Sequence, residues 1–285
     1  MTIKKITIIG LGLIGGSLAW ALKKSGRVGE IFGIDLDNEA VAYAFQEKII
    51  DTGSRNLGEG VKGSDVVVIA TYVGIIPEIA KTVASVASPA TIITDVGSVK
   101  GKIVEELERI LPPHIRFVGG HPIAGTERSG VWAADFNLFQ GKRCILTPTS
   151  KTQPESIAKV KDIWESVGAA VSTMDAETHD RIFGFVSHLP HVVAYALVNS
   201  IAFQKQPGSM LDFGGGGLRD YTRIGASSPD MWSDIFLTNK VNVLECIREF
   251  KNALEKIEGL IRMEDLRGLR EELNRSVSVK QNADR

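Results

Sequence analysis

The sequence has little cysteine. Cys144 and Cys246 are its two thiols among 285 residues. Far apart and without metal-ligand spacing, they give neither a disulfide framework nor a zinc motif. They point instead to a reduced, cytoplasmic protein. Charge of either sign is not in excess. Lys and Arg number 33 against 34 Asp and Glu, a formal net charge of −1. Such a balance builds no field that would gather nucleic acid or an anionic membrane surface. Long apolar runs are missing too: no stretch reaches the ~18 uninterrupted apolar residues of a membrane span. Lys4 and Lys5 precede only a short apolar run that enters a glycine loop, which is not the pattern of a signal peptide. Histidine is scarce, at five residues, and no HExxH occurs, so no metal site is expected.

What is present is an ordinary globular composition, 44% hydrophobic and 24% charged. The length suits about two domains at roughly 100–200 residues each. In the first half, short apolar runs at residues 6–9, 31–35, 66–71 and 91–95 read as buried strands. Weaker candidates follow at 117–119, 144–147 and 170–174. Amphipathic stretches at 17–24, 39–47 and 103–110 lie between them, and Pro154 opens another. Apolar strands separated by helices predict a parallel sheet covered on both faces. Beyond residue 175 the pattern becomes helical: 178–203, 231–261 and 263–275. The expected organisation is an α/β fold, with a Rossmann-type parallel-sheet domain over 1–173 and an all-helical domain over 174–285. The segment 206–217, ending in four glycines, reads as a loop. The polar segment 276–285 reads as a frayed tail.

The most specific local signal is Gly10, Gly12 and Gly15, a GxGxxG set between a predicted strand and a predicted helix. Gly10 permits the turn, Gly12 lets backbone approach a pyrophosphate, and Gly15 lets the helix pack on the strand. The pyrophosphate would rest on the helix N-terminus at Leu13 and Ile14. Asp35, 20 residues after Gly15, stands where an acid meets the adenosine ribose. No Arg or Lys lies within 36–39 to hold a 2′-phosphate, so NAD is expected over NADP. Thr71, at the end of the predicted strand 66–71, completes the expected cofactor contacts.

Two further strand ends carry polar clusters, around Ser98 and around His121. Ligands of open α/β sheets bind at such ends. A dehydrogenase acting on an alcohol needs a group to take the hydroxyl proton, and a histidine titrates in the right range. His121 is therefore the expected proton acceptor, with Ser98 orienting the hydroxyl. His188 and His191, three apart, share a helix face if the helix crosses Pro190. Packing and substrate contact are both open for them. Arg219 and Arg223, four apart, offer forks for a carboxylate.

Five segments in order resemble the prephenate/arogenate dehydrogenase family: GLGLIGGS at 10–17, TDVGSVKG at 94–101, GGHPIAGTERSG at 119–130, SHLPH at 187–191 and RDYTRIGASSPDMW at 219–232. The resemblance implies NAD-dependent oxidative decarboxylation of prephenate in tyrosine biosynthesis. An arogenate or dual-specificity enzyme is the alternative. It also implies catalytic His121 and Ser98, substrate-binding residues His188, His191, Arg223 and Glu127, and a homodimer formed by the helical domain. β-Hydroxyacid dehydrogenases share the layout, but their K-x-x-N motif is missing. An NAD-sensing subunit would have no use for a proton acceptor.

Overall fold

The computed structural model describes residues 3–204 and 210–283. These form two compact units, 1–239 and 240–285. The expected boundary at 173/174 falls inside the first unit, because the helices up to residue 238 pack with the sheet.

In chain order the first unit begins β1 (Ile3–Ile9), α1 (Leu13–Ser25), β2 (Val28–Ile34), α2 (Asn38–Gln46), β3 (Thr52–Ser54), α3 (Leu57–Val61) and β4 (Val66–Ile69). It continues with α4 (Ile76–Val86), β5 (Ile92–Asp95), α5 (Gly101–Ile110), β6 (Arg116–Pro122), β7 (Arg143–Thr147), α6 (Pro154–Ser166) and β8 (Ala170–Thr173). The strands form one sheet in the order β3-β2-β1-β4-β5-β6-β7-β8. All seven expected strands are present. The three-residue β3 has no apolar run and escaped the pattern. One pairing departs from expectation: β7 runs antiparallel to β6, with His121 opposite Ile145. The link from Pro122 to Arg143 holds a single short 3-10 turn in place of a crossover helix, so nothing carries the chain back to make a parallel pair.

Central strands β4 and β5 are buried along their whole length, which is why VVVI and IITD show no polar alternation. One core layer packs Ile6, Ile8, Leu18, Leu22 and Trp164. The other packs Ile9, Val67, Ile69, Ile103 and Trp232. The strand order reverses between β1 and β4, and there the carboxyl ends open a crevice.

Helices then follow. α7 (Ala176–Phe183) passes through a π turn, Gly184–His188, directly into α8 (Leu189–Ala202). Pro190 lies inside this continuous helix, and the π turn just before it is the kind of local adjustment that accommodates a proline's missing N–H. The combined helix Ala176–Ala202 is long and apolar enough, by length and composition, to cross a membrane. Interrupted by His and Pro, it contains no uninterrupted apolar run, so the sequence reading passed over it. Much of its surface is open, with Ile182, Phe185 and Val186 exposed. α9 (Gly216–Thr222) and α10 (Pro229–Thr238) complete the first unit. The second is a hairpin of α11 (Lys240–Arg262) and α12 (Leu266–Ala283), joined by a Lys256–Glu272 ion pair.

Three helical expectations need correction. The run 231–261 is broken at Asn239, which ends α10. Gly216 and Gly217 do not stay in a loop but form the first turn of α9, where a helix has not yet closed its hydrogen bonds. The first part of that loop, 206–209, lies outside the described residues. The segment 276–283 is no frayed tail: it extends α12, with Ser278 bonding back to Asn274.

The glycine loop separates two kinds of glycine. Gly10 has φ +94°, and a Cβ there would lie 2.5 Å from the Ala70 carbonyl oxygen. A Cβ on Gly15 would overlap the Gly10 carbonyl oxygen. Both are demanded by the protein's own packing. Gly12 is not: a Cβ there meets nothing within 4 Å. Gly15→Ala is therefore expected to cost roughly 1–3 kcal/mol through overpacking. Gly12→Ala should stay within about 0.5 kcal/mol of the parent. Urea unfolding of both variants checks the contrast.

Candidate active site

The expected cofactor residues converge on the carboxyl ends of β1, β2 and β4. Gly12 caps α1 without a side-chain bond, and the first turn, which contains Leu13 and Ile14, carries no acidic residue. Its first-turn N–H groups, with no side-chain cap, are the kind of donors an anion can take up. Asp35 follows β2, as expected. Its two oxygens accept N–H bonds from Leu11 (2.7 Å) and Asp37 (2.9 Å), which fixes the carboxylate beside the glycine loop. The Thr71 methyl lies 3.2 Å from where a Gly10 Cβ would be, so Thr71 forms the loop's other wall. The open space over Gly12 is what a dinucleotide's pyrophosphate requires, and these residues fit one.

Next along the sheet, β5 delivers Asp95 and β6 delivers His121. Asp95 and Lys100 form an ion pair with both side chains fully buried. It is satisfied on every side: Lys100 Nζ also donates to the Gly120 carbonyl (2.8 Å), and Asp95 accepts from the Gly97 and Gly120 N–H groups. The loop holding half-buried Ser98 is thereby locked to β6. Ser98 does not cap α5. That role falls to Asp180 of α7, whose oxygens accept the N–H groups of Lys100 (2.7 Å) and Gly101 (2.8 Å).

His121 is buried, with 8% of its surface exposed. Its Nδ1 lies 2.8 Å from Nε2 of His179, and His179 Nδ1 lies 2.9 Å from Asp180 Oδ1. Phe183 stacks on His179 and meets His121 edge-on. Sequence reasoning missed His179, Asp180, Lys100 and Asp95 as site residues. The available signal was a His-Asp pair early in an apolar helix, which was absorbed into that helix's periodicity.

His188 is fully buried. Its Nδ1 pairs with Asn239 Nδ2 (3.0 Å), and the Ser98 backbone faces its ring. It ties the start of α8 to the Ser98 loop and to the end of α10, while its buried Nε2 has no hydrogen-bond partner. His191 is half-buried. Its Nδ1 donates to the Ser187 carbonyl (2.9 Å), and its ring stacks on Trp232. Arg223 lies near enough to disfavour charge on His191, and it pairs with Glu127 at 3.2 Å. His191, Arg223 and Glu127 are thus brought together at the exposed side of the cluster, whereas His188 belongs to its interior. Among the described residues no group of three His, Cys, Asp or Glu side chains is placed to hold a metal ion.

Burial, first, holds the His121 ring well below the ordinary imidazole range, and the nearby Lys100 ammonium pushes the same way. Burial also lowers His179 and His191, and takes His188 down to about 4. A histidine with a lowered folded-state pKa contributes its full stability above the unfolded value of 6.5. That stability is lost as pH falls from there towards the folded value. For His188 alone the loss approaches about 3 kcal/mol, at ~1.4 kcal/mol per unit. Urea midpoints should therefore fall between pH 7 and pH 4. His188→Gln should flatten that slope whatever it does to stability at pH 7.

Comparison with known proteins agrees with this geometry. Residues 18–173 match the family model "Prephenate dehydrogenase, nucleotide-binding domain". Residues 175–275 match "Prephenate dehydrogenase, dimerization domain". The chain is 38% identical to the prephenate dehydrogenase of Bacillus subtilis over 93% of its length and 72% of that protein. It is 35% identical to the cyclohexadienyl dehydrogenase of Zymomonas mobilis over 92% of its length and 90% of that protein. Among solved structures it is similar to a prephenate dehydrogenase from A. aeolicus, in complex with hydroxyphenyl propionate and NAD+. That match has a TM-score of 0.93 and 42% identity, covering 100% of this chain and 99% of the other. With an eight-stranded, mostly parallel sheet, a glycine cradle at its switch point and both domain models matched in order, the chain belongs to the prephenate dehydrogenase family.

Proposed function

We propose that this chain catalyses the NAD-dependent oxidative decarboxylation of prephenate to 4-hydroxyphenylpyruvate, a step towards tyrosine. The observation that carries the reading is His121: a buried imidazole at a sheet carboxyl end, with one ring nitrogen engaged by the protein. NAD, when bound, supplies the hydride acceptor. The chain's residues do the rest. His121 takes the ring hydroxyl proton at its remaining nitrogen, and Ser98 orients that hydroxyl. Ring aromatisation drives loss of CO₂, so orientation and charge control are what the site must provide.

On this reading Gly10, Gly12, Leu13, Ile14, Gly15, Asp35 and Thr71 hold the dinucleotide. Asp35, with no cation in 36–39 beside it, favours NAD over its 2′-phosphorylated form. His191 and Arg223 bind the substrate's carboxylates. Glu127 already occupies the Arg223 fork, so an incoming carboxylate competes with it for that cation. The division of labour is a nucleotide-binding domain over 1–173 and a helical domain over 174–285 that pairs two copies into a homodimer. Exposed Ile182, Phe185 and Val186 in the first unit, and Leu254 and Leu273 in the second, support such pairing. Two free, buried thiols accord with a reducing cytoplasm.

The 35% identity to a cyclohexadienyl dehydrogenase keeps arogenate as an alternative substrate. The two differ only in whether the side chain is a keto acid or an amino acid. Steady-state assays with each acid, each with NAD and NADP, decide between them. We expect NADH formation with prephenate and a preference for NAD. Turnover of neither acid would overturn the reading. His121→Asn should lower kcat by roughly 10²–10⁴ with NAD affinity retained. Gly12→Ala should weaken NAD binding while the fold persists.

A further inference from the structure

We infer that His179 and Asp180 are positioning residues that fix the tautomer of His121 and disperse the charge it gains on taking a proton. The inference rests on the role proposed for His121, and it concerns residues that lie behind that ring.

The placement of protons follows from the donors and acceptors. Asp180 accepts two backbone N–H groups, those of Lys100 and Gly101. A carboxylate so placed is an acceptor for its third neighbour as well. The His179 Nδ1, 2.9 Å away, must therefore donate. Burial keeps His179 neutral, so a proton on Nδ1 leaves Nε2 as a bare acceptor. That nitrogen faces His121 Nδ1 at 2.8 Å, which must then be the N–H partner. One proton on a neutral ring is thereby assigned, and His121 Nε2 is left with its lone pair free. This is the form that can receive a hydroxyl proton. The opposite tautomer would point an N–H at the hydroxyl and block the step.

The same chain acts after the transfer. The proton lost by the hydroxyl becomes the Nε2–H of an imidazolium, and no other bond in the chain need break. The new charge sits one ring away from the Asp180 carboxylate, joined through two aligned hydrogen bonds. Around the pair, Lys100 just before α5 opposes that charge, Asp95 on β5 neutralises Lys100, and His188 at the end of the π turn and Cys144 on β7 are uncharged neighbours. Phe183 packs against both imidazoles and keeps them from turning. Asp180 is itself held by α5, so ring orientation is inherited from a helix end rather than from a mobile side chain.

The test uses the full-length enzyme with prephenate and NAD. His179→Leu removes the acceptor, whereas His179→Gln keeps one in its side-chain oxygen. We expect His179→Leu to lower kcat by about 30-fold or more, with KM and NAD affinity changed less than about threefold. His179→Gln should recover most of that loss. The acid limb of kcat/KM should move to lower pH in the Leu variant, because the imidazolium has lost its support. In a His121→Asn background, His179→Leu should add almost nothing, since it acts through the ring already removed. Equal damage by Leu and Gln would overturn the inference, as would an additive loss in the double variant or an unmoved acid limb. Should the Leu variant not fold, the Gln variant and its His121→Asn double carry the same decision. If His121→Asn alone retained full turnover, the proposed role of His121 would fail first, and that result is distinguishable from the failure of His179.

Discussion

The Asp180 carboxylate joins the parts on which the site depends. Its oxygens take the first free N–H groups of α5 and the ring proton of His179. One side chain therefore closes a helix end, docks α7 onto α5 and sets the imidazole behind His121. A helix N-terminus carries partial positive charge, which draws a carboxylate to it. The arrangement does not rest on a loop. α5 is anchored through Ile103 and Leu107 in one core layer, and Phe183 wedges the first turns of the helical segment against both rings.

Burying Asp95, Lys100, His121, His179, Asp180 and His188 this closely carries a large desolvation penalty. The chain meets it by satisfying every charged partner. Lys100 and Asp95 neutralise each other, and their remaining hydrogen-bonding capacity goes to the backbone of Gly97 and Gly120. The histidines meet it by staying neutral. A neutral, buried imidazole with a free lone pair is a proton acceptor held ready at neutral pH. A pair of charges at the sheet end and a set of uncharged rings beside it are thus two solutions to the same low-dielectric constraint. The exposed side of the cluster is built differently: Glu127 and Arg223 are solvated, and an exchange of partners there costs little.

How much of this could be read beforehand depended on how local each signal was. Gly10, Gly12, Gly15 and Asp35 announce themselves because a strand, a tight turn and a helix start must follow one another in sequence. His121 was legible because a histidine between glycines and a proline has no core periodicity to explain it. Asp180 and His179 were not, because their partners Lys100 and His121 lie about 80 and 58 positions away and only the fold brings them together. Lys100 sat inside a quoted motif, yet nothing local says that its amine turns inward. For His188, helical spacing alone leaves packing and substrate contact both open. Its Asn239 partner, 51 positions on, draws it into the interior. The antiparallel β7 and the helical start at Gly216 were missed for a related reason. Strand direction and glycine conformation are set by the segments to which they connect.

Proton transfer at this site turns on which nitrogen of His121 carries the proton. Nitrogen-15 NMR of the imidazole side chains in the full-length protein at neutral pH reads that directly. The predicted spectrum has His121 neutral and protonated at Nδ1, its Nε2 unprotonated, and His179 in the same tautomer. His121 protonated at Nε2 would contradict the account, because no lone pair would then remain to receive the hydroxyl proton.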